Sequence, residues 1–189
     1  MTRSILLIAL LAFASAAGAQ GFDYNYVTLG YSQVDFDDVN IDGDGIELAG
    51  SFAINEDFHA FGSYGQADLD GGIDASELSI GLGYNHSLSP AVDFVGSVSY
   101  EYVEIDVAGL GSVDDNGFGL GIGLRFHPAD KIEVDAGIQY VDLSDSGSDT
   151  GFGAGFQYYI TDAITIGVSA EWADDVSRYG LGGRFYFGN

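Results

Sequence analysis

The chain carries an alternation that keeps restarting. Segments of roughly ten to thirteen residues place an apolar or aromatic residue at every second position, with Gly, Ser or a charged residue between. Phe118, Leu120, Ile122, Leu124 and Phe126 form the clearest run, with Gly119, Gly121, Gly123 and Arg125 interleaved. The stretches Ile164 to Trp172 and Ile46 to Ile54 repeat it. A period of two is that of a β-strand with two unlike faces. In a soluble sandwich the polar face meets water. In a transmembrane barrel the apolar face meets lipid and the polar face lines the lumen.

The N-terminus favours the membrane. Arg3, the apolar run Ile5 to Ala14 and the small residues Ala17-Gly18-Ala19 have the order of a secretory signal peptide cleaved near Ala19. An apolar run of about ten residues is too short for a spanning helix, which needs roughly 20. Residues 1–19 are therefore expected to be a signal peptide and 20–189 one outer-membrane β-barrel domain. No later segment could cross as a helix, so any crossing is by strands. The chain has no cysteine, which excludes a disulfide framework and a lipidated cysteine anchor. Against 29 Asp and Glu there are five Lys and Arg. That balance repels nucleic acid, and with this many aromatics it does not indicate disorder.

Ten strands are expected, at 24–34, 44–54, 57–68, 75–86, 91–104, 116–127, 131–143, 150–160, 163–173 and 178–187. Eight spanning strands would suffice if two hairpins lay outside the lipid. The even-numbered connections are short turns, around Asn55, Ser87 to Pro90, Ala129 and Thr161. The odd-numbered ones are mostly longer and rich in Asp, Gly and Ser. Short periplasmic turns alternating with longer, mobile external loops mark an up-and-down barrel of even strand number. Aromatics cluster where its two interfaces would fall: Tyr31, Tyr64, Tyr100, Phe118, Tyr140, Phe152, Trp172 and Tyr179 at one, Phe58, Tyr84, Phe94, Phe126, Tyr158, Phe185 and Phe187 at the other. Phe118 and Phe126 lie eight residues apart. At about 3.3 Å per residue and a tilt near 40°, that spans roughly 20 Å of lipid.

The opposite strand faces carry Glu47, Glu77, Glu101, Glu133, Asp135, Gln139, Gln157 and Glu171, with Arg125 and Arg184 among them. Buried acids need partners. The expectation is a lumen charge network of Arg125 and Arg184 with Glu47, Glu101, Glu133 and Glu171. In a barrel of about ten strands such a network fills the interior, because aqueous channels usually need 16 or more strands. The inward glycines Gly117, Gly119, Gly121 and Gly123 leave room for water, which keeps a narrow pore open as the alternative.

Asp38-x-Asn40-x-Asp42-Gly43-Asp44 resembles the start of a calcium loop, with side-chain oxygens at alternate positions and a glycine for the turn. Its twelfth position is Ala49 instead of a bidentate glutamate. Asp38, Asn40, Asp42 and Asp44 are a weak calcium candidate, and a solvated acidic loop is the simpler reading. An enzyme would need a histidine base near a nucleophile at the external rim. His59, His86 and His127 all fall at periplasmic strand ends, with His59 and His86 read as interface or turn residues. No catalytic residue and no cofactor are expected.

Tyr24-Asn25-Tyr26-Val27, the run Phe58 to Tyr64 and the run Gly81 to Pro90 together resemble a family of small xanthomonad-type outer-membrane proteins, once proposed as quorum signals and activators of plant immunity. More loosely the chain resembles OmpA-like barrel domains. The resemblance implies an outer-membrane barrel linked to biofilm or virulence and carries over no site residues. The last strand, with Phe185 and Phe187 near its end, resembles the signal read by the barrel assembly machinery, though Gly188 and Asn189 follow. The expected product is all-β, a monomeric antiparallel barrel in contact with outer-membrane lipid and lipopolysaccharide. Its expected role is envelope integrity or surface interaction. The alternatives are a narrow pore for small solutes and a soluble secreted signal.

Overall fold

The computed structural model describes residues 22–36 and 41–188. The segment read as a signal peptide lies outside the described residues, as do Asp38, Asn40 and Asn189. Ten strands follow in order: β1 (Tyr26–Phe36), β2 (Ile41–Ala53), β3 (Phe58–Leu69), β4 (Ile73–Ser89), β5 (Val92–Val107), β6 (Gly111–Ala129), β7 (Ile132–Leu143), β8 (Gly147–Thr161), β9 (Ile164–Ala173) and β10 (Val176–Tyr186). Each pairs antiparallel with its chain neighbours, and β1 closes the ring on β10 from Tyr26 opposite Tyr186 to Phe36 opposite Val176. The strands number ten, not eight.

The turns 54–57, 90–91, 130–131 and 162–163 lie at the end where β1 begins and β10 finishes, the periplasmic end of the expected topology. Between the aromatic bands the alternation works as a lipid-facing barrel requires. Ile122 and Leu120 point outward, while Gly121 and Gly123 beside them are buried. Neighbouring girdle rings touch: Phe152 stacks on Trp172 at 4.9 Å, Trp172 meets Tyr179 edge-on at 6.1 Å, and Phe58 packs on Tyr84 at 5.3 Å.

Beyond the external girdle the structure departs from expectation. The stretches read as long mobile loops are paired strand. β6 runs for 19 residues, β4 for 17 and β5 for 16, against the roughly 9–11 that cross a membrane. The described external connections are only residues 70–72, 108–110, 144–146 and 174–175. Gly71, Gly72 and Gly109 supply the positive φ angles of these turns, and Asp174 adopts φ 43° in the two-residue turn into β10. The asymmetry between the ends therefore lies in strand length more than in loop length.

The reason is a change of phase. On β5 the outward apolar residues Val98, Tyr100 and Tyr102 give way to inward Val103, Ile105 and Val107, with Glu104 and Asp106 now outward. On β7, Tyr140 faces out, then Val141 and Leu143 face in. On β1, Leu29 and Tyr31 face out, then Val34 and Phe36 face in. Below the girdle the barrel is apolar outside; above it, the strands follow the rule of a soluble sheet, with an apolar interior and an acidic exterior.

Candidate functional site

The lumen is built in three layers. At the periplasmic mouth the residues before β1 do not extend the strand, as the expected boundary at 24 implied; they turn inward. Phe22 and Tyr24 are 1% exposed. Phe22 stacks on His127 at 4.3 Å and Tyr24 on His59 at 4.0 Å. Asn25 ties the segment down by accepting from the Ala53 N–H at 3.1 Å and, through its carbonyl, from the Phe187 N–H at 2.9 Å. His59 is therefore a buried lumen residue, not the interface or turn residue expected for it, and it lies 3.3 Å from the Asn85 amide oxygen. His86 is exposed beside Tyr84, as an interface residue would be.

Directly above lies the charge network. Glu133 accepts from the Arg125 Nε at 2.9 Å and again from its Nη2, while the Arg184 Nη1 donates to the same oxygen at 3.4 Å. The Tyr159 hydroxyl donates to the other Glu133 oxygen at 2.9 Å. Tyr186 accepts from both arginines. The guanidinium of Arg184 lies 4.2 Å from the Tyr26 ring centre and that of Arg125 5.1 Å from Phe22, so aromatic faces complete the cage. Arg125 and Glu133 have no solvent exposure. Ions this deep are tolerable only because hydrogen bonds and opposite charge surround them.

The middle layer holds a cavity of about 100 Å³ lined by Glu47, Glu171, Asp135, Arg178 and Arg184 among others. Arg178 reaches across the lumen to form a two-point pair with Glu77, at 2.8 and 3.2 Å. Of the expected network, Arg125, Arg184 and Glu133 come into contact. Glu47 and Glu171 line the cavity beside arginines. Glu101 stands apart, accepting from Ser79, Ser99 and Gln139. Arg178 escaped the sequence reading because its expected strand began at that residue, although six residues place it in phase with Arg184. Tyr159 and Tyr186 were hidden because their neighbours Tyr158, Phe185 and Phe187 supply the outward aromatics.

The third layer is apolar. Ala75, Val103, Val141 and Leu143 form one buried cluster, and Val34, Phe36, Ala173 and Val176 another, with Leu69 packed against both. Both clusters lie toward the external mouth of the lumen.

Of the weak calcium candidate, Asp42 and Asp44 are described. Both lie on the outer face of β2, opposite Asp35 and Gln33, in extended backbone instead of a loop. Among the described residues no group of three or more His, Cys, Asp or Glu side chains is arranged to hold a metal ion. Asp115 accepts from the backbone N–H groups of Asn116 and Ser146, each at 2.7 Å, and of Asp145 at 3.1 Å. Burial pushes its carboxyl up, but these donors outweigh it and hold the group below the usual carboxylate range, fixing the β7–β8 turn. Phe185 and Phe187 lie on the lipid face near the periplasmic end.

A family model for the outer membrane protein β-barrel domain matches residues 5–158. The chain belongs to that family. Among solved structures it is similar to the NanC porin, with 10% identity, 85% of this chain and all of that chain covered, and a TM-score of 0.58. It is also similar to Ail, the attachment invasion locus protein of Yersinia pestis, at 19% identity, 86% and 97% coverage and a TM-score of 0.43. At these identities the likeness is one of fold. No curated protein matches the chain.

Proposed function

We propose that this outer membrane barrel is closed and non-enzymatic, and that it acts at the cell surface, in envelope integrity or in contact with other molecules, through its protruding hairpins. The observation that carries this is the double stopper. Phe22 and Tyr24 fill one mouth, and Leu143, 2% exposed, and Val34, 3% exposed, help to fill the other. Small barrels commonly fill their interiors in this way. His59 and His127 are engaged by stacked rings and are remote from the external hairpins, which supports a role without chemistry. Lipopolysaccharide and outer-membrane lipid would surround a single copy, and Phe185 and Phe187 would present the last strand to the assembly machinery. The biofilm, virulence or signalling roles implied by the resemblance would act through the same hairpins.

A narrow pore is the second reading, favoured by the cavity between Glu47, Glu171 and the arginines. Planar bilayers separate the two. Purified full-length protein is expected to show no stable unitary conductance. Reproducible steps sensitive to Glu171→Gln would overturn the closed reading and place the selectivity in the middle layer.

A further inference from the structure

A closed barrel has no sheet edge, but this one acquires an edge above the membrane. β6 pairs with β7 only from Gly117 opposite Leu143 downward, whereas it pairs with β5 as far out as Gly111 opposite Val107. The β7–β8 turn seals the step: the Ser144 N–H donates to the Asn116 carbonyl, and Asp115 takes the amides described above. Residues 111–114 therefore have a strand on one side and, among the described residues, none on the other. Such an edge offers unpaired backbone donors and acceptors.

Its side chains are unusual too. Leu110 is 86% exposed and Val113 66% exposed, the two highest values among the large apolar side chains described. Neither has lipid to face, since both stand beyond the Tyr100–Phe118 girdle. The ribbon is held in shape: the Leu110 N–H donates to the Val107 carbonyl at 2.8 Å, and the Ala108 N–H donates to Gly72 of the neighbouring turn at 2.9 Å. One face of it presents Ile105 and Val113. The other presents Glu104 directly opposite Asp114, with Asp106 beyond.

We propose that the free edge of β6 at residues 111–114 accepts an extended, basic polypeptide segment as an added strand. Residues alternating between apolar and basic would satisfy both faces at once, apolar against Val113 and cationic against Asp114 and Glu104. A second copy of this chain is a poor occupant, because edge-to-edge pairing would bring carboxylates together; acids on an edge are a known guard against self-association. Anionic lipid headgroups are repelled for the same reason. This inference rests on the surface role proposed above.

The test uses the full-length barrel in detergent micelles and a fluorescent peptide of about seven residues alternating valine and lysine. Binding is read by anisotropy and located by hydrogen exchange. Binding that protects the amides of residues 111–114 is expected. Asp114→Asn and Val113→Ser should each weaken it about tenfold, in proteins that retain the fast-migrating unboiled band. The same peptide methylated on alternate backbone nitrogens should not bind. Equal binding of the methylated peptide, or protection elsewhere, would overturn strand addition in favour of plain charge attraction. A barrel that binds the peptide at this edge yet conducts in bilayers would retain this inference and lose only the closed-lumen reading.

Discussion

Glu133→Ala is expected to destabilise the barrel by about 3–5 kcal/mol, the range for removing one partner of a buried ion pair. Two arginines and Tyr159 converge on this carboxylate, which has no exposure. Its loss leaves both guanidinium groups without the carboxylate on which they converge. Glu133→Gln keeps the shape and one acceptor oxygen, and should fall between. The readout is the urea midpoint at which the fast-migrating unboiled band disappears. A stability for Glu133→Ala, taken from that midpoint and its slope, within about 0.5 kcal/mol of the parent, the size of an ordinary surface change, would mean that water reaches the cage and that the periplasmic stopper is not tight.

The second large effect concerns the boundary of the lipid. Ile122 lies on the outer face of β6, midway between Phe118 and Phe126. Ile122→Arg should cost about 2–4 kcal/mol, the range for a cation at the bilayer midplane on a barrel's lipid face. Ser112 is on the same face of the same strand, ten residues further out, beyond the phase change. Ser112→Arg should cost close to nothing, and with Asp106 opposite it could gain a few tenths of a kcal/mol. The comparison is made within one strand and on one face, so the introduced side chain and the fold are held constant. Equal costs at the two sites would show that the outer part of β6 also lies in lipid.

Much of this was legible in the residues. Ten restarting alternations give ten strands, and the aromatics at their ends give two interfaces. The lumen face was legible because parity alone assigns it, and that face carries Glu133, Arg125 and Arg184. What escaped lay at the ends of strands. Asp68 to Asp74 and Glu104 to Asn116 read as loops because Asp, Gly and Ser usually punctuate a chain, and because a window spanning the phase change sees the apolar alternation fail. Yet Val103, Ile105 and Val107 continue the period on the other face. Tyr24 reads as strand because it keeps the alternation of β1, and nothing local says that it and Phe22 fold into the barrel mouth. That choice depends on Arg125, His59 and His127, which are distant in sequence and meet it only after closure.

The phase change has one more consequence. Where each strand swaps its apolar face sets the hydrophobic thickness that the protein presents to a bilayer, and the backbone has no part in the choice. Moving the swap by one residue pair, for example by making Glu104 apolar and Val103 polar, would raise the upper limit of that stretch by about two strand rises, roughly 7 Å along the strand, while every hydrogen bond of the ladder stayed in register. A barrel of this design could therefore be matched to a thicker or thinner membrane by side-chain exchange alone, where a spanning helix must tilt, lengthen or deform the lipid around it.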